Sequence, residues 1–503
     1  MIEKLAQLLR RISFKQILFL ALILRILAVI FAKGFVFHDD HFGLVELAFY
    51  WRNGSPVSSF PDVYNGVYIF SLLYPGFLYL IFDVCNAVGI NSPEGMMFVV
   101  RLLHALLSLL TVYYGYLLTM RMTSNITIAK TVALILAAFW FFPFMSVHTL
   151  REFLCVPFLF GGAYYLSNAK PTAGSVAAAA IFFIVAFCIR FQTILFPFGF
   201  ALWLLFKKEY TGKMILFGLF FVVCYFLSQG LFDYLFYGNP FASIVEYFRY
   251  NSNPENIGLY PQGPWYTYIG TVAAMVLGIP FFVLALGYGY NMNKSLPQKI
   301  LLFGSLLFFI FHSYYSNKQE RFILPFIPFF LLLGIVGFCS YYVKHCNANW
   351  VRKFTTFTVA WFIVLNSIGL FVVTCTFSKK SRVEAMTYLR NKNDVNNIIM
   401  EANGKPPPPP LFYLGKHIDF YQFSAADSLQ QFKNELEKSS DAPANYIIMV
   451  GDDNFEQRLQ RMQILFPKMS METVITPSFV DGIAHRLNPS QNENESWRIY
   501  RIK

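Results

Sequence analysis

Charge is scarce in this 503-residue chain. Asp, Glu, Lys and Arg make up 14% of it, against roughly 25% in a soluble globular protein. Cysteine is sparse too: seven residues, at 85, 155, 188, 224, 339, 346 and 375, nearly all in apolar runs and none further on. They form no C-x-x-C and no zinc spacing, so they read as small apolar packing residues. There is no G-x-G-x-x-G and no P-loop, which removes phosphate-cradle nucleotide chemistry. No internal repeat is visible, which weakens a transporter reading. The N-terminal run after Lys4, Arg10, Arg11 and Lys15 has the polarity of a signal peptide. It is too long, and no small-residue cleavage site follows, so it is expected to stay as a first membrane helix.

What is abundant is apolar surface. Hydrophobic residues are 56% of the chain, aromatics 19%, and mean hydropathy is +0.48. This excludes a soluble enzyme, a disordered chain and a nucleic-acid-binding domain, despite a pI near 9.2. The fold class expected is a polytopic α-helical membrane protein. Spans are expected at 16–36, 99–119, 129–145, 149–167, 174–189, 191–206, 213–234, 267–289, 299–315, 322–343 and 354–376, about 11 transmembrane helices. With the N-terminus inside, fifteen of the 24 basic residues before 378 fall on the cytoplasmic side, among them Arg121, Lys130, Lys170, Lys207, Lys208 and Lys213. Of the 13 acids, all but Glu3 and Glu209 fall outside. That is the positive-inside bias. It makes 67–90 a re-entrant or interfacial part of an outer loop, 37–98, rather than a twelfth crossing.

Composition changes after Phe377. Residues 378–503 carry 16 Lys and Arg against 15 Asp and Glu. The division expected is therefore a membrane module, 1–377, with outer loops 37–98 and 235–266, and an extracytoplasmic α/β domain, 378–503. In that domain 382–390 and 454–465 read as helices. Leu411–Leu414, Tyr446–Val450 and Trp497–Ile502 read as strands, and the Pro406–Pro410 run as a stiff extended spacer.

Four outer segments carry chemistry. The first loop opens His38-Asp39-Asp40-His41. A carboxylate there near apolar walls can act as a general base, the His and Asp set can bind a divalent metal, or the run is a solvated loop start. Arg101, Arg151, Arg190, Lys318 and Arg321 recur at the outer ends of helices. An arginine reaching the membrane core costs on the order of 2.5–3.5 kcal/mol. Snorkelling explains one such residue, but a phosphate pocket better explains the set. Residues 232–268 contain Asp233, then Tyr250-Asn251, then Pro264-Trp265-Tyr266-Thr267-Tyr268. Such aromatics and amides suit either a sugar or an interfacial belt. Residues 317–325 read N-K-Q-E-R-F-I-L-P.

In this order the segments resemble the family 22 glycosyltransferases, the mannosyltransferases of GPI-anchor and lipid-linked oligosaccharide assembly within the GT-C superfamily. His38 and Asp40 match the His and Asp of that family's H-P-D-E, with Asp39 and His41 in place of Pro and Glu. Asp233, Tyr237 and Gly238 resemble its D-x-x-F/Y-Y-G element, Tyr250-Asn251 its F-N, and Pro264, Trp265 and Tyr268 its P-W-x-x-Y. Asn317 to Pro325 resembles H-K-E-E-R-F-x-x-P, and His148-Thr149-Leu150 its R-T-L without the Arg. The departures point to a distant, bacterial branch in an inner membrane, with the ER membrane as the alternative.

The resemblance implies a GT-C fold and an inverting transfer, without metal or other cofactor, on the periplasmic or lumenal face. The sugar, mannose-like, would come from a polyprenyl- or dolichyl-phosphate carrier and go to a glycolipid or glycan acceptor. Asp40, beside Asp39, would be the base. Arg321, Lys318, Arg190, Arg151 and Arg101 would hold the lipid phosphate. His38, His41, Trp265, Tyr268, Asp233 and Asn251 would meet sugar or acceptor. A GT-C transferase for another sugar, and a transporter or lipid flippase, are the competing readings.

Overall fold

A computed structural model describes residues 2–55, 62–168, 170–205, 211–438, 443–489 and 492–502; Lys207, Lys208 and Glu209 of the charge count lie outside them. The chain divides into two compact units. One comprises Met1–Val29, Pro56–Leu78 and Val100–Thr374; the other comprises Ile30–Ser55, Tyr79–Val99 and Cys375–Lys503.

Among the described residues, six helices are long and apolar enough to cross a membrane: Phe14–Phe31, Pro93–Thr123, Thr211–Tyr237, Leu296–Tyr314, Phe326–His345 and Asn349–Thr374. Thr267–Met275 and Pro280–Tyr290 make a seventh if the two, bent by 112°, form one span. Leu73–Ala87, Ile126–Ala138, Ala173–Ile189 and Phe191–Leu202 are apolar but shorter. The expected span 149–167 is broken into Arg151–Leu154 and Val156–Leu166, with Pro157 in the first turn of the second piece. The 67–90 stretch opens on β2 (Val67–Tyr68), which pairs antiparallel with β1 (Val63–Tyr64) just before it, and continues as the helix Leu73–Ala87.

Local chemistry sets the helix ends. The Asn125 side chain accepts from the Thr127 and Ile128 amides, and Ser295 with Gln298 forms a capping box. Close packing in the first unit rests on glycine. A Cβ on Gly287 would lie 2.0 Å from the Gly334 carbonyl oxygen, and one on Gly199 would lie 2.7 Å from Gly304 Cα. Backbones approach that closely only without side chains.

Two polar devices hold helices in place. Arg25, only 1% exposed, donates to Ser108 Oγ at 2.5 Å and to the carbonyls of Leu136 (3.4 Å) and Ala137 (3.1 Å) at the end of Ile126–Ala138. Those are orphan carbonyls of a helix terminus, which a cation suits. The bend at 276–279 places Leu277 and Gly278 at φ 68° and 77°. The indole N–H groups of Trp140 and Trp361 donate to the Met275 and Leu277 carbonyls, each at 2.8 Å. This satisfies backbone groups that the break frees.

The second unit contains a five-stranded sheet of β3 (Asn397–Ala402), β4 (Phe420–Ser424), β5 (Ala444–Val450), β6 (Ser470–Ile475) and β7 (Trp497–Arg501), in the order β4-β3-β5-β7-β6. β3 is parallel to both β4 and β5, and β7 is antiparallel to β5 and β6. Ile399, Phe423, Phe432, Ile447, Met449, Met462 and Tyr500 form one core cluster of it. The helices at 382–390 and 454–465 are present as Lys380–Arg390 and Phe455–Leu465.

One element differs in type. Leu411–Leu414 is a helical turn rather than a strand. Pro410 precedes it, the Glu46 carboxylate takes the Phe412 N–H, and Gly415 at φ 76° ends it. The proline run before it is mostly buried, so it packs rather than spaces.

Candidate active site

In the first unit, one carboxylate sits among guanidinium groups. Glu152 lies in the short helix Arg151–Leu154 and is fully buried. Its Oε1 is 3.0 Å from Arg190 Nη1 and 3.7 Å from Arg321 Nε. Arg151, Arg190 and Arg321 are buried as well. Arg190 ends the helix Ala173–Ile189 and leaves it in extended backbone, which frees its side chain from the helix surface. Arg321 enters a 3₁₀ turn, Glu320–Ile323, and its Nε donates to Gln319 Oε1 at 2.8 Å. The Arg190 and Arg321 guanidiniums lie 4.8 and 5.5 Å from the Phe322 ring centre, and that of Arg151 lies 3.9 Å from that of Phe70.

Lys318 is placed differently. Its ammonium donates to the carbonyls of His312 (2.9 Å), Ser313 (2.8 Å) and Tyr315, at the end of Leu296–Tyr314. Three protons meet three helix-end acceptors. The backbone around it pairs with the aromatic segment: Lys318 N–H donates to Pro261 at 2.8 Å, and Gln262 bridges to Asn317. Tyr268, fully buried, donates to the Gln319 carbonyl at 2.9 Å. The two sequence motifs are therefore one joined structure.

Further residues are spread around this. Tyr247, which the sequence did not single out, is buried within reach of Arg190, Arg151 and Glu152. Burial pushes its phenol above the ordinary value, while the two arginines pull it down. Its carbonyl accepts from Asn251 Nδ2 at 2.8 Å, and Tyr315 Oη donates to the Asn251 carbonyl at 3.0 Å. Arg101 donates to the Val29 carbonyl at 3.2 Å. Asp233 is fully buried and accepts from Gln229, from the Ser243 N–H and from the Ser243 hydroxyl, at 2.8, 2.9 and 2.8 Å. It fastens the start of the helix Ala242–Ser252 to its own helix. Trp265 is 56% exposed.

The His38–His41 run belongs to the second unit. His38–Asp40 forms one helical turn, which passes into a π-helix, His41–Glu46. Asp40 is 3% exposed and Asp39 half-buried. His41 is fully buried, stacked 4.2 Å from Phe35 and 5.5 Å from Tyr413, with Nε2 3.3 Å from Glu46 Oε1. Glu46 also accepts the Phe412 N–H with both oxygens, at 2.8 and 3.0 Å. His38 is exposed, and Asp39, Arg382, His41 and Lys379 are the charged groups acting on it. Burial pulls Lys379 down to about 8; Arg382 adds to this, and Asp481 and Glu493 oppose it. Among the described residues, no three His, Cys, Asp or Glu side chains cluster closely enough to hold a metal ion.

Sequence reasoning missed Glu152 and Glu46. Each is a lone acid in an apolar run, which is the available signal. His41 and Glu46 are five apart, a spacing that a π-turn brings to one face and an α-helix does not.

The profile of the Alg9-like mannosyltransferase family matches residues 16–405. The chain belongs to the Alg9-like mannosyltransferase family. Among members, "GPI mannosyltransferase 3" of Candida glabrata is 24% identical over 238 residues, 42% of this chain and 36% of that protein. The human "GPI alpha-1,2-mannosyltransferase 3" is 22% identical over 342 residues, 66% of this chain and 58% of that protein. The matches thus span between about a third and just over half of these relatives' lengths. The solved structure of ArnT from Cupriavidus metallidurans, bound to undecaprenyl phosphate, superposes with a TM-score of 0.58 at 13% identity, covering 96% of this chain and 97% of that one. This family member therefore has the GT-C fold expected from its motifs and is an integral membrane protein.

Proposed function

We propose that the chain is an inverting mannosyltransferase that takes its sugar from a polyprenyl- or dolichyl-phosphate donor and delivers it to a glycolipid or glycan on the non-cytoplasmic face. The observation that carries this is the pair of buried arginines, Arg190 and Arg321, that share Glu152, with buried Arg151 next to it in the chain, in a membrane protein of this family. Guanidinium forks bind phosphate oxygens, and a buried positive excess calls for an anion. The relatives' names support mannose, and the undecaprenyl phosphate bound to ArnT supports the lipid-phosphate class.

In this reading Asp40 takes the proton of the acceptor hydroxyl. The oxygen attacks the anomeric carbon, the bond from that carbon to the phosphate oxygen breaks, and the lipid phosphate leaves. Arg321, Arg190, Arg151 and Arg101 stabilise the charge that grows on it. Lys318 adds positive field from the helix end it caps. Tyr268, Asn251, Trp265, His38 and His41 are the residues this reading assigns to sugar and acceptor. With eleven crossings and a cytoplasmic N-terminus, Asp40 and residues 378–503 are expected on the same, outer side.

The test is transfer in membranes containing the chain, from synthetic polyprenyl-phosphate-mannose to extracted glycolipids, read by mass. A glycolipid heavier by one hexose is the expected product. Consumption of a different sugar donor in its place supports a GT-C transferase of other specificity. Movement of intact lipid across the bilayer without transfer supports a flippase.

A further inference from the structure

We infer that Glu152 sets the charge of the phosphate site, and that this governs release of the lipid-phosphate product. The inference rests on the donor class proposed above. Glu152 is fully buried, and its Oε1 serves both Arg190, at 3.0 Å, and Arg321, at 3.7 Å. Arg151 is its chain neighbour, and the Tyr247 phenol senses Arg151, Arg190 and Glu152 together. The Tyr268 phenol senses Arg190, Glu320, Glu152 and Arg321, and the Lys318 ammonium lies 5.2 Å from the centre of its ring. Arg151, Arg190, Arg321 and Glu152 therefore act on one region, and Lys318 and Glu320, one charge of each sign, cancel in its sum.

Three guanidiniums against one carboxylate leave a surplus of two positive charges. A lipid-phosphate-sugar is a phosphodiester with one negative charge. When the sugar leaves, the lipid keeps a phosphate monoester, whose second pKa is about 6, so at neutral pH it carries close to two charges. The surplus set by Glu152 thus balances the product and not the donor. That gradient favours the transition state, in which the second charge appears. Without Glu152 the surplus would be three, and the product would be held too tightly. The same carboxylate also fixes the two guanidiniums relative to each other, so Glu152 is a positioning residue.

The experiment uses the purified full-length chain in lipid nanodiscs, with polyprenyl phosphate and polyprenyl-phosphate-mannose as probes. The reading is the ratio of donor Kd to product Kd, with kcat and KM alongside. For Glu152→Gln the expected outcome is product binding roughly tenfold tighter, a fall in kcat as release slows, and no rise in donor KM. Glu152→Asp keeps the charge and should keep the product Kd near native. If Glu152→Gln does not fold, the double variant Glu152→Gln with Arg190→Gln restores a surplus of two and should return the ratio to native. An unchanged or weakened product affinity in Glu152→Gln, or a tenfold shifted ratio in the double variant, overturns the inference. A native chain that binds neither probe and transfers nothing overturns the proposed function itself, whatever the variants do.

Discussion

Lys318→Met separates two roles that the sequence alone merges. Methionine keeps the apolar stem and removes the ammonium. In the structure Lys318 is 8% exposed and its ammonium donates to three carbonyls at the end of Leu296–Tyr314. A hydrogen bond to a charged group is worth about 1.5–3 kcal/mol net, and a buried acceptor left bare costs about 1–3 kcal/mol. Three such bonds set an upper limit near 9 kcal/mol. Desolvation of the ammonium offsets several of these, and water can reach the helix end beside Tyr314, which is 75% exposed. The expected loss is about 2–4 kcal/mol. Donor affinity should fall less, as a secondary effect of loosening the turn that carries Arg321. Arg321→Ala should do the reverse, with a large rise in donor KM and a smaller change in stability; Arg321→Lys should recover only part, since a point charge does not replace a fork. The assay is thermal unfolding in detergent beside donor kinetics for the same preparations. Native stability with lost donor affinity in Lys318→Met would refute the helix-end role and put the ammonium on the phosphate.

Asp40→Asn should lower turnover about 10²–10⁴-fold with donor binding near native, and Asp39→Asn far less; full activity in Asp40→Asn with loss in Asp39→Asn would reverse the assignment. Transfer should survive a chelator; abolition by chelator with rescue by an added divalent ion would make His38, Asp39, Asp40 and His41 a metal site. The folded chain holds Lys379 at about 8, below its ordinary 10.5, so between those values the unfolded chain binds more protons and this group's contribution to stability rises with pH. Lys379→Met should flatten that rise, and unfolding measured at pH 7.5 and 9.5 on both proteins should show a smaller gain in the variant; equal gains would refute the burial of Lys379.

Much of the helical part was legible because apolar run length is a direct demand of the bilayer. The join between the 261–268 and 317–322 segments was legible only as motif order, since backbone pairing between distant loops leaves no local pattern. The reading of 411–414 as a strand failed for a related reason. A four-residue apolar run has no periodicity of its own, and what decides it is Glu46, some 360 residues earlier. Arg25 escaped notice because its partners are backbone carbonyls, which every sequence has. Asp40 was visible from its neighbours, whereas Glu152 needed the fold to show that two arginines share it.

The bend at 276–279 has a consequence for how the chain is made. At 1.5 Å per residue, the nine residues of Thr267–Met275 and the eleven of Pro280–Tyr290 reach about 14 and 17 Å. Neither alone crosses a hydrocarbon layer of about 30 Å. The indoles that cap the freed carbonyls come from Trp140, made long before, and Trp361, made some 80 residues later. During synthesis the Leu277 carbonyl has no indole until the helix Asn349–Thr374 has emerged and docked. The corner therefore matures late, after insertion of the helices on either side. A ribosome stalled before Trp361 would leave it half-clasped, with the Leu277 carbonyl still without its indole.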